Sequence, residues 1–284
     1  MTLYIVGTPI GNLSDISQRA LDTLRAVSLI AAEDTRVTAK LLARYGINTK
    51  LTSSHEHNEK VKSRSLIARM LETGEDIALV TDAGMPTVSD PGSAVAAAAR
   101  EAGIRVECIP GPSAITTILA LTGWEYNEFT FYGFLPRERG ELRARLSEMA
   151  RGARVAVVFE SPHRVEALLS ALSGEHPGAR VFIANDLTKM HEWTFEGSAG
   201  EALAAHTSRE NARKGEYCLA IRFPKPVAPE ESEPIRAETW ILDALLRGMS
   251  MTDAAEFARS RGVSRNEAYR ASVAVRQYLA KINV

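Results

Sequence analysis

The chain has 284 residues, of which 45% are hydrophobic, so it is long enough for two domains and can bury a substantial core. Its 34 Lys and Arg residues nearly balance its 35 Asp and Glu residues, which excludes attraction to nucleic acid by overall charge and leaves only local basic patches. The two cysteines, Cys108 and Cys218, lie far apart and outside any CxxC pair, which argues against structural zinc and a disulfide framework.

The N-terminal segment carries a short apolar run at residues 3–6, which predicts the first strand. No basic segment precedes this run, and the run is far too short for a signal peptide or a membrane span. We therefore expect a cytoplasmic protein without a membrane partner.

The first part of the chain, residues 1–121, alternates short apolar runs with segments of helical periodicity, which predicts an α/β domain with a mostly parallel sheet. A first helix is indicated by the spacing of Ile16, Ala20, Leu21 and Leu24. Further strands are predicted at residues 28–32, 77–80 and 106–109, with another before His55. Further helices are predicted at 36–45, 58–73 and 93–102, each followed by a glycine.

A second α/β domain is predicted at residues 128–223, after the pattern resets around 122–127. Its strands are expected near residues 129–134, 155–159, 181–185, 193–195 and 217–223. Some of the connections are too short for a parallel crossover, so we expect a mixed sheet. The proline- and glutamate-rich stretch 224–234 is typical of an extended linker.

The C-terminal part, residues 235–284, has no strand pattern and is predicted to be a small helical unit. Helices are expected at 252–260 and after Ser264, where Ser264 and Glu267 form an S-x-x-E capping box. The unit is either helix-turn-helix-like or a helical hairpin that packs on the body or on a second subunit. Its eight basic residues against five acidic ones favour contact with phosphate.

Three glycine- and proline-rich loops follow strands of the first domain, at residues 7–12, 81–92 and 110–114. Ligands of open α/β sheets collect at the carboxyl ends of the strands, so these loops together outline a crevice. The first loop lacks the Gly-Lys-Ser/Thr ending of a P-loop and the G-x-G-x-x-G pattern of a dinucleotide-binding fold, so it matches neither nucleotide-binding motif.

Charged side chains lie at the same predicted edge, where Glu33, Asp34 and Arg36 follow the second strand. Either these groups serve chemistry, or Asp34 or Thr35 caps the next helix while Arg36 pairs with an acid. The pair His55 and His57 lacks a third fixed ligand, so we expect no metal site.

The second domain offers a further set of polar groups. Arg137 leads into a helix whose arginines alternate with glutamates, which fits an RNA-binding patch or a solvated helix with internal ion pairs. Residues 160–164 lie where a strand meets a helix N-terminus, a position that favours anions. Residues 185–189 follow another strand and supply the cation Lys189.

Eight motifs in this order closely resemble the ribosomal small-subunit methyltransferase I family: GTPIGNLSDIS, AAEDTR, SSHEHNE, VTDAGMPTVSDPG, IPGPSA, GFLPR, FESPHR and LTKMHE. This family is the 16S rRNA (cytidine 2′-O) branch of the tetrapyrrole-methylase-like enzymes. The resemblance covers about residues 3–223. It implies two α/β domains with S-adenosylmethionine in the cleft between them, a helical C-terminal addition, a homodimer, and a cytidine in the decoding region of 16S rRNA, or of the 30S subunit, as target.

The resemblance also implies where the cofactor binds. The cofactor contacts expected from it are Pro9, Asp82, Ala83, Gly84, Pro86, Val88, Ser113 and Ala114. For proton handling or orientation of the hydroxyl, the candidates are Glu33, Asp34 and Lys189, which the sequence does not rank. Contacts to RNA are expected from Arg36, Arg137, Arg164 and Arg265. The chain departs from the family at Asn185 and Asp186, where an Arg-Glu pair is expected, and at Ser93, where an aromatic residue is common.

Two other functions are compatible with parts of the pattern. A small-molecule methylase acting on a corrin or other tetrapyrrole would share the architecture and the cofactor. A non-enzymatic regulator could use the C-terminal helices to read DNA, although the near-neutral charge argues against it.

Overall fold

The computed structural model describes residues 1–55, 58–224 and 236–282, and these residues form two five-stranded sheets and a separate group of helices. The strands of the first sheet are β1 (Thr2–Val6), β2 (Leu29–Ala32), β3 (Lys50–Ser53), β4 (Ile77–Val80) and β5 (Arg105–Ile109). They are all parallel, in the order β3-β2-β4-β1-β5. The predicted parallel sheet is confirmed, and its strand bounds differ from the prediction by one residue at most.

Helices cover both faces of the first sheet, as connections between parallel strands require. They are α1 (Gln18–Ala26), α2 (Thr35–Arg44), α3 (Glu59–Thr73) and α4 (Ser93–Glu101). One buried cluster joins α1 and α2 to the sheet, and another joins α3 and α4 to the opposite face. Ile16 is buried, but it precedes α1, because Ser17 caps that helix by accepting a hydrogen bond from the Ala20 amide.

The second sheet contains β6 (Thr130–Phe134), β7 (Val155–Glu160), β8 (Arg180–Asn185), β9 (Trp193–Ser198) and β10 (Tyr217–Arg222), in the order β6-β7-β10-β8-β9. Only β6 and β7 pair in parallel among the described strands of this sheet, across the helix α6 (Arg139–Gly152). The predicted mixed sheet is therefore confirmed.

The helix α5 (Ala114–Thr122) begins at the last loop of the first sheet and packs on the second. Its buried Ile118 and Leu119 contact the same cluster as Val157 and Ala220. The helices α6, α7 (Val165–Glu175) and α8 (Ala199–Thr207) cover the opposite face. Since α5 packs directly on the second sheet, the two sheets share one compact unit, which ends at Pro224.

Residues 236–282 form three helices, α9 (Ala237–Leu246), α10 (Met251–Ser260) and α11 (Arg265–Ile282), with a small core of their own. The sequence pattern predicts two helices here and does not predict α9, whose buried stripe is short and includes Ile241 and Ala244. The capping box at Ser264 and Glu267 is confirmed by reciprocal hydrogen bonds. The predicted linker, 224–234, lies outside the described residues apart from Pro224. No helix in the described ranges is long and apolar enough to cross a membrane.

Candidate active site

The loops at the carboxyl ends of β1, β4 and β5 meet at one edge of the first sheet, as predicted. Thr8 and Gly84 exchange backbone hydrogen bonds of 2.9 and 3.1 Å, and the Gly7 amide donates to the Ile109 carbonyl at 3.0 Å. The Thr8 hydroxyl also donates to the Thr81 carbonyl at 3.1 Å. These bonds hold the glycine-rich loops in a single arrangement.

Glycine is required where these loops touch. A Cβ on Gly111 would lie 2.8 Å from the Cα of Gly7, and a Cβ on Gly7 would lie 2.6 Å from the sulfur of Met85. Gly84 has a φ of 82°, in the left-handed region that side chains disfavour. The backbones of these loops therefore pack directly against one another, and Gly84 also lines the cavity described below.

The second sheet supplies the opposite wall of a cavity of about 370 Å³. The first loop reaches this wall directly, because the Asn12 amide donates to the Thr188 hydroxyl at 3.0 Å. Among the described residues, the cavity is lined by Ile10, Ala83, Gly84, Met85, Val88, Ser89, Asp90, Ser113, Ala114, Ile115, Phe134, Phe159, Glu160, Ser161, Pro162, Leu187, Gly215, Glu216, Tyr217 and Cys218. The lining is largely apolar, with few charged groups.

Asp90 and Glu160 are carboxylates that line this cavity, on opposite sheets. Burial raises the pKa of Asp90 to about 6, and the negative charges of Glu33, Asp82 and Glu216 add to the shift. Burial also raises the pKa of Glu160, which is only 2% exposed, although the Ser161 amide donates to it at 2.8 Å. Carboxyl groups with raised pKa values in a cavity are candidates for proton transfer.

The predicted cofactor contacts divide into two groups. Those that line the cavity are Ala83, Gly84, Val88, Ser113 and Ala114. Pro9 and Pro86 are buried within the loops 7–12 and 81–92, and Asp82 accepts a hydrogen bond from the Asp34 amide at 3.0 Å. These three residues therefore shape the loops and do not face the cavity.

Asp34 is the N-cap of α2, the structural alternative that the sequence left open. Its side chain accepts a hydrogen bond from the Arg36 amide at 2.8 Å and a bidentate pair from the Arg36 guanidinium at 3.0 and 2.6 Å. Hydrogen bonding to Arg36 lowers the pKa of Asp34 to about 2. Glu33 accepts a hydrogen bond from the Asp82 amide at 3.3 Å. Among the described residues lining the cavity, neither Glu33 nor Asp34 occurs.

Lys189, the third proton-handling candidate, is also held outside the cavity lining. Its ammonium group contacts Asp186 at 2.8 Å and Glu216 at 2.9 Å. Burial opposes the charge, yet the hydrogen bonds to the two carboxylates prevail and raise the pKa of Lys189. Lys189 therefore remains a cation and cannot accept a proton at neutral pH.

The family departure at Asn185 has a structural explanation. Asn185 is buried, donates to the carbonyls of Lys214 and Glu216 at 3.2 and 3.3 Å, and accepts from Arg209 at 3.0 Å. It thus anchors the segment before β10 that carries Gly215 and Glu216 into the cavity wall.

The arginines predicted to contact RNA have different surroundings. Arg36 is paired with Asp34, and Arg164 contacts the buried Glu160 at 3.3 Å. Arg137 and Arg265 are exposed, the first beside the cavity and the second at the start of α11.

Of the two histidines considered as metal ligands, His57 lies outside the described residues. Within the described residues, no group of three or more potential ligands could hold a metal ion.

Several cavity residues were not assigned from the sequence. Asp90 and Glu160 lie inside the motifs VTDAGMPTVSDPG and FESPHR, but only their burial distinguishes them from neighbouring acids. Phe134, Phe159 and Tyr217 come from three strands of the second sheet. These residues lie close together because β6, β7 and β10 are neighbours in the sheet, and composition and spacing do not reveal this strand order.

The fold and the cavity define an α/β protein with two five-stranded sheets and a cavity of small-molecule size that residues of both sheets line. The family model of the Tetrapyrrole (Corrin/Porphyrin) Methylases matches residues 2–203, and the chain belongs to this family. A solved structure, uroporphyrin-III-C-methyltransferase from Thermus thermophilus, shares the fold with a TM-score of 0.55 and 20% identity, over 78% of this chain and 94% of that one.

Curated relatives are similar over most of the chain. A protein of Escherichia coli O157:H7 named ribosomal RNA small subunit methyltransferase I is 43% identical over 273 residues, which is 94% of this chain and 93% of that protein. Proteins of the same name from Xylella fastidiosa and from Synechocystis are 43% and 39% identical, over 78% and 95% of this chain and 81% and 97% of their own lengths.

Proposed function

We propose that this protein transfers the methyl group of S-adenosylmethionine to the ribose 2′-oxygen of a cytidine in 16S rRNA. The observation that carries the proposal is the 43% identity to the Escherichia coli relative across 94% of the chain, because the alignment is long enough to include part of the C-terminal helical unit. The solved uroporphyrin methyltransferase supports the fold alone, since it is 20% identical.

The cavity suits the cofactor in size and in charge. Its volume of about 370 Å³ lies within the range of small-molecule sites. Gly84 lines the cavity without a side chain, which allows close approach of a ligand to its backbone. The carboxylates Asp90, Glu160 and Glu216 favour a positively charged ligand. When bound, S-adenosylmethionine supplies a methyl group on a cationic sulfur, which is the electrophile of the reaction.

The chain must orient the ribose hydroxyl and remove its proton, because an alcohol is a poor nucleophile at neutral pH. Of the acids at this edge, we propose Asp90 as the proton acceptor, since it lines the cavity and its pKa is about 6. We propose that Glu33, Asp34 and Lys189 act as positioning residues. Glu33 and Asp34 are hydrogen-bonded to Asp82 in the loop 81–92, and Lys189 is hydrogen-bonded to Glu216 in the cavity wall.

The partners follow from the proposed substrate. An rRNA substrate implies a cytoplasmic enzyme, and the resemblance to the family implies a homodimer. We propose that the exposed Arg137 and Arg265 contact phosphate groups of the RNA. Arg36 and Arg164 are each engaged by an acid, so we propose that they support neighbouring loops.

The test is methylation of 30S subunits that lack the modification, with radiolabelled S-adenosylmethionine and mass spectrometry of the nucleosides. We expect the label in 2′-O-methylcytidine.

The variant Gly111→Ala should abolish labelling, because its Cβ meets the Gly7 backbone, whereas Gly140→Ala has open space and should retain it. Label in a tetrapyrrole and not in RNA would establish the small-molecule methylase instead. Selective binding to duplex DNA without methyl transfer would establish the regulator.

A further inference from the structure

An open groove of about 1200 Å³ lies beside the cavity, on the second sheet. Phe134 and Ser161 line both the groove and the cavity, so the two are continuous. The charged side chains that line the groove, among the described residues, are four arginines and two glutamates: Arg137, Arg145, Arg151, Arg164, Glu141 and Glu148. The groove is thus locally basic in a chain whose formal net charge is −1.

Phe134 stands at the junction of the groove and the cavity, and its side chain is 60% exposed. Exposure of a large aromatic ring costs free energy, which a binding partner can recover by covering it. The ring lies 6.0 Å from that of Phe159, edge to face, and Phe159 lines the cavity. Phe134 therefore presents a free face next to the proposed methyl-transfer site.

The backbone before Phe134 is shaped to aim this ring. The pairing of β6 with β7 shifts between Phe131 and Gly133, and Gly133 has a φ of 64°. Such a bulge re-aims the side chain that follows it. A Cβ on Gly133 would lie 3.4 Å from the Ser89 hydroxyl, so the bulge lies close to the loop of the opposite wall.

Buried polar contacts hold the segment that follows. Arg164 donates to the carbonyls of Leu135 and Pro136 at 2.7 and 2.8 Å, and its guanidinium contacts the buried Glu160 at 3.3 Å. Phe134 and the exposed Arg137 thus flank a fixed turn. At the other side of the groove, Arg145 lies over the ring of Tyr132, at 4.8 Å from its centre.

Resting on the proposed function, we infer that this groove binds single-stranded RNA and that Phe134 stacks on the base of the target nucleotide. Methylation inside a cavity requires an unpaired nucleotide, whose base then needs a new stacking partner. An aromatic ring beside arginines is the arrangement that provides stacking together with phosphate contacts. The ribose of that nucleotide would then lie at the mouth of the cavity.

The experiment compares Phe134→Ala with Phe134→Tyr, which keeps an aromatic face, and with the control Phe129→Ala. Phe129 is 45% exposed and lines neither the cavity nor the groove. We expect Phe134→Ala to lower kcat/KM on 30S subunits by about 5- to 150-fold, as expected for the loss of one stacked base. Phe134→Tyr should restore most of the activity, and Phe129→Ala should match the wild type.

A double-mutant cycle tests whether Phe134 contacts the base of the target nucleotide. Fluorescence anisotropy measures binding of a short single-stranded RNA that carries either the target cytidine or an abasic ribose at that position. The wild type should bind the cytidine RNA more tightly than the abasic RNA, whereas Phe134→Ala should bind the two RNAs with equal affinity. Equal binding of the two RNAs by the wild type, or binding of neither, overturns the inference.

The remaining outcomes separate this inference from the proposed function. If the wild type methylates 30S subunits and Phe134→Ala does so equally well, the inference fails while the function stands. If the wild type methylates no RNA, the proposed function itself fails. Weaker binding of S-adenosylmethionine by Phe134→Ala, measured by calorimetry, would assign the ring to the cofactor and overturn its role in RNA binding.

Discussion

Two aspartates at the same edge of the first sheet have pKa values shifted in opposite directions. Hydrogen bonds from Arg36 lower the pKa of Asp34 to about 2, while burial raises that of Asp90 to about 6. Opposite shifts of neighbouring acids commonly separate a structural group from one that transfers protons. Asp90, which lines the cavity, is therefore better suited to proton transfer than Asp34, which caps α2.

The first prediction concerns the pH dependence of turnover. If Asp90 accepts the proton, it must be ionised, so log kcat should rise with pH and level off above about pH 6. The variant Asp90→Asn should lose about 100-fold or more in kcat and lose this limb of the profile. Single-turnover assays between pH 5 and pH 8 measure both effects. An unchanged profile in the variant would remove Asp90 from proton transfer.

The same variant also tests the pKa shift itself. The folded-state pKa of Asp90 is above its ordinary value of 3.8, so the ionised form is disfavoured in the folded protein. Asp90 therefore lowers the free energy of unfolding progressively as the pH rises from about 4 to about 6, and this destabilisation persists at higher pH. We expect Asp90→Asn to raise the Tm at pH 8 and to change it little at pH 4. A Tm difference independent of pH would show that the shift is absent.

The second prediction concerns Asp34, which lies outside the cavity lining. Asn caps helices about as well as Asp, so Asp34→Asn should leave turnover and cofactor affinity close to wild type. Asp34→Ala should lower the Tm, because the Arg36 amide loses its acceptor. Steady-state kinetics and thermal denaturation on both variants provide the measurement. A large loss of kcat in a folded Asp34→Asn would restore Asp34 as a catalytic candidate.

At the scale of elements, the loop 81–92 depends on a contact between helices. Gly92 precedes α4 and has no side chain to cap it, with a φ of 130°. The carboxylate of Glu59, in the first turn of α3, takes this role by accepting from the amides of Gly92 and Ala94 at 2.9 and 2.7 Å. One helix thus anchors the end of the loop 81–92 by capping the next helix.

The third prediction follows from this anchor. Glu59→Ala should lower the free energy of unfolding by about 1.5–3 kcal/mol, the usual value for hydrogen bonds to a charged group. It should also weaken cofactor binding, because the loop that carries Gly84 and Val88 loses its fixed end. Denaturant unfolding and calorimetry measure the two effects. Glu72→Ala, in the same helix and exposed, is the matched control and should show neither.

At the scale of the whole molecule, the chain divides into two compact units, the first of which ends at Pro224. The described residues that line the cavity all belong to this first unit. The helices α9 to α11 pack on one another around a core that includes Ile241, Ala254 and Val275. The predicted domain boundaries within the first unit, at residues 121 and 128, stay a prediction.

The fourth prediction uses this separation. A chain truncated after Pro224 should bind S-adenosylmethionine with wild-type affinity, because the cavity is intact. Its affinity for 30S subunits should fall, since Arg265 and the other basic residues of the helical unit are lost. Calorimetry and subunit binding at several salt concentrations test this. Unchanged RNA affinity and salt dependence would exclude the helical unit from RNA binding.

The sequence by itself determined the elements of the fold and the edge at which the loops meet. Apolar periodicity is a local property, so the strands of both sheets and the capping box at Ser264 were predictable. The helix α9 was missed because its buried stripe is short and follows a proline-rich segment. The parallel order then brings the glycine-rich loops together, because parallel strands end at the same edge.

Only the tertiary structure decided which side chains face the cavity. Asp34, Asp82 and Asp90 are alike in the sequence, and burial and hydrogen-bond partners distinguish them. Asp90 and Glu160 line one cavity although they come from different sheets and from segments far apart along the chain. Packing between distant segments sets the local dielectric and the neighbouring charges, and these determine a pKa and a role that no local pattern encodes.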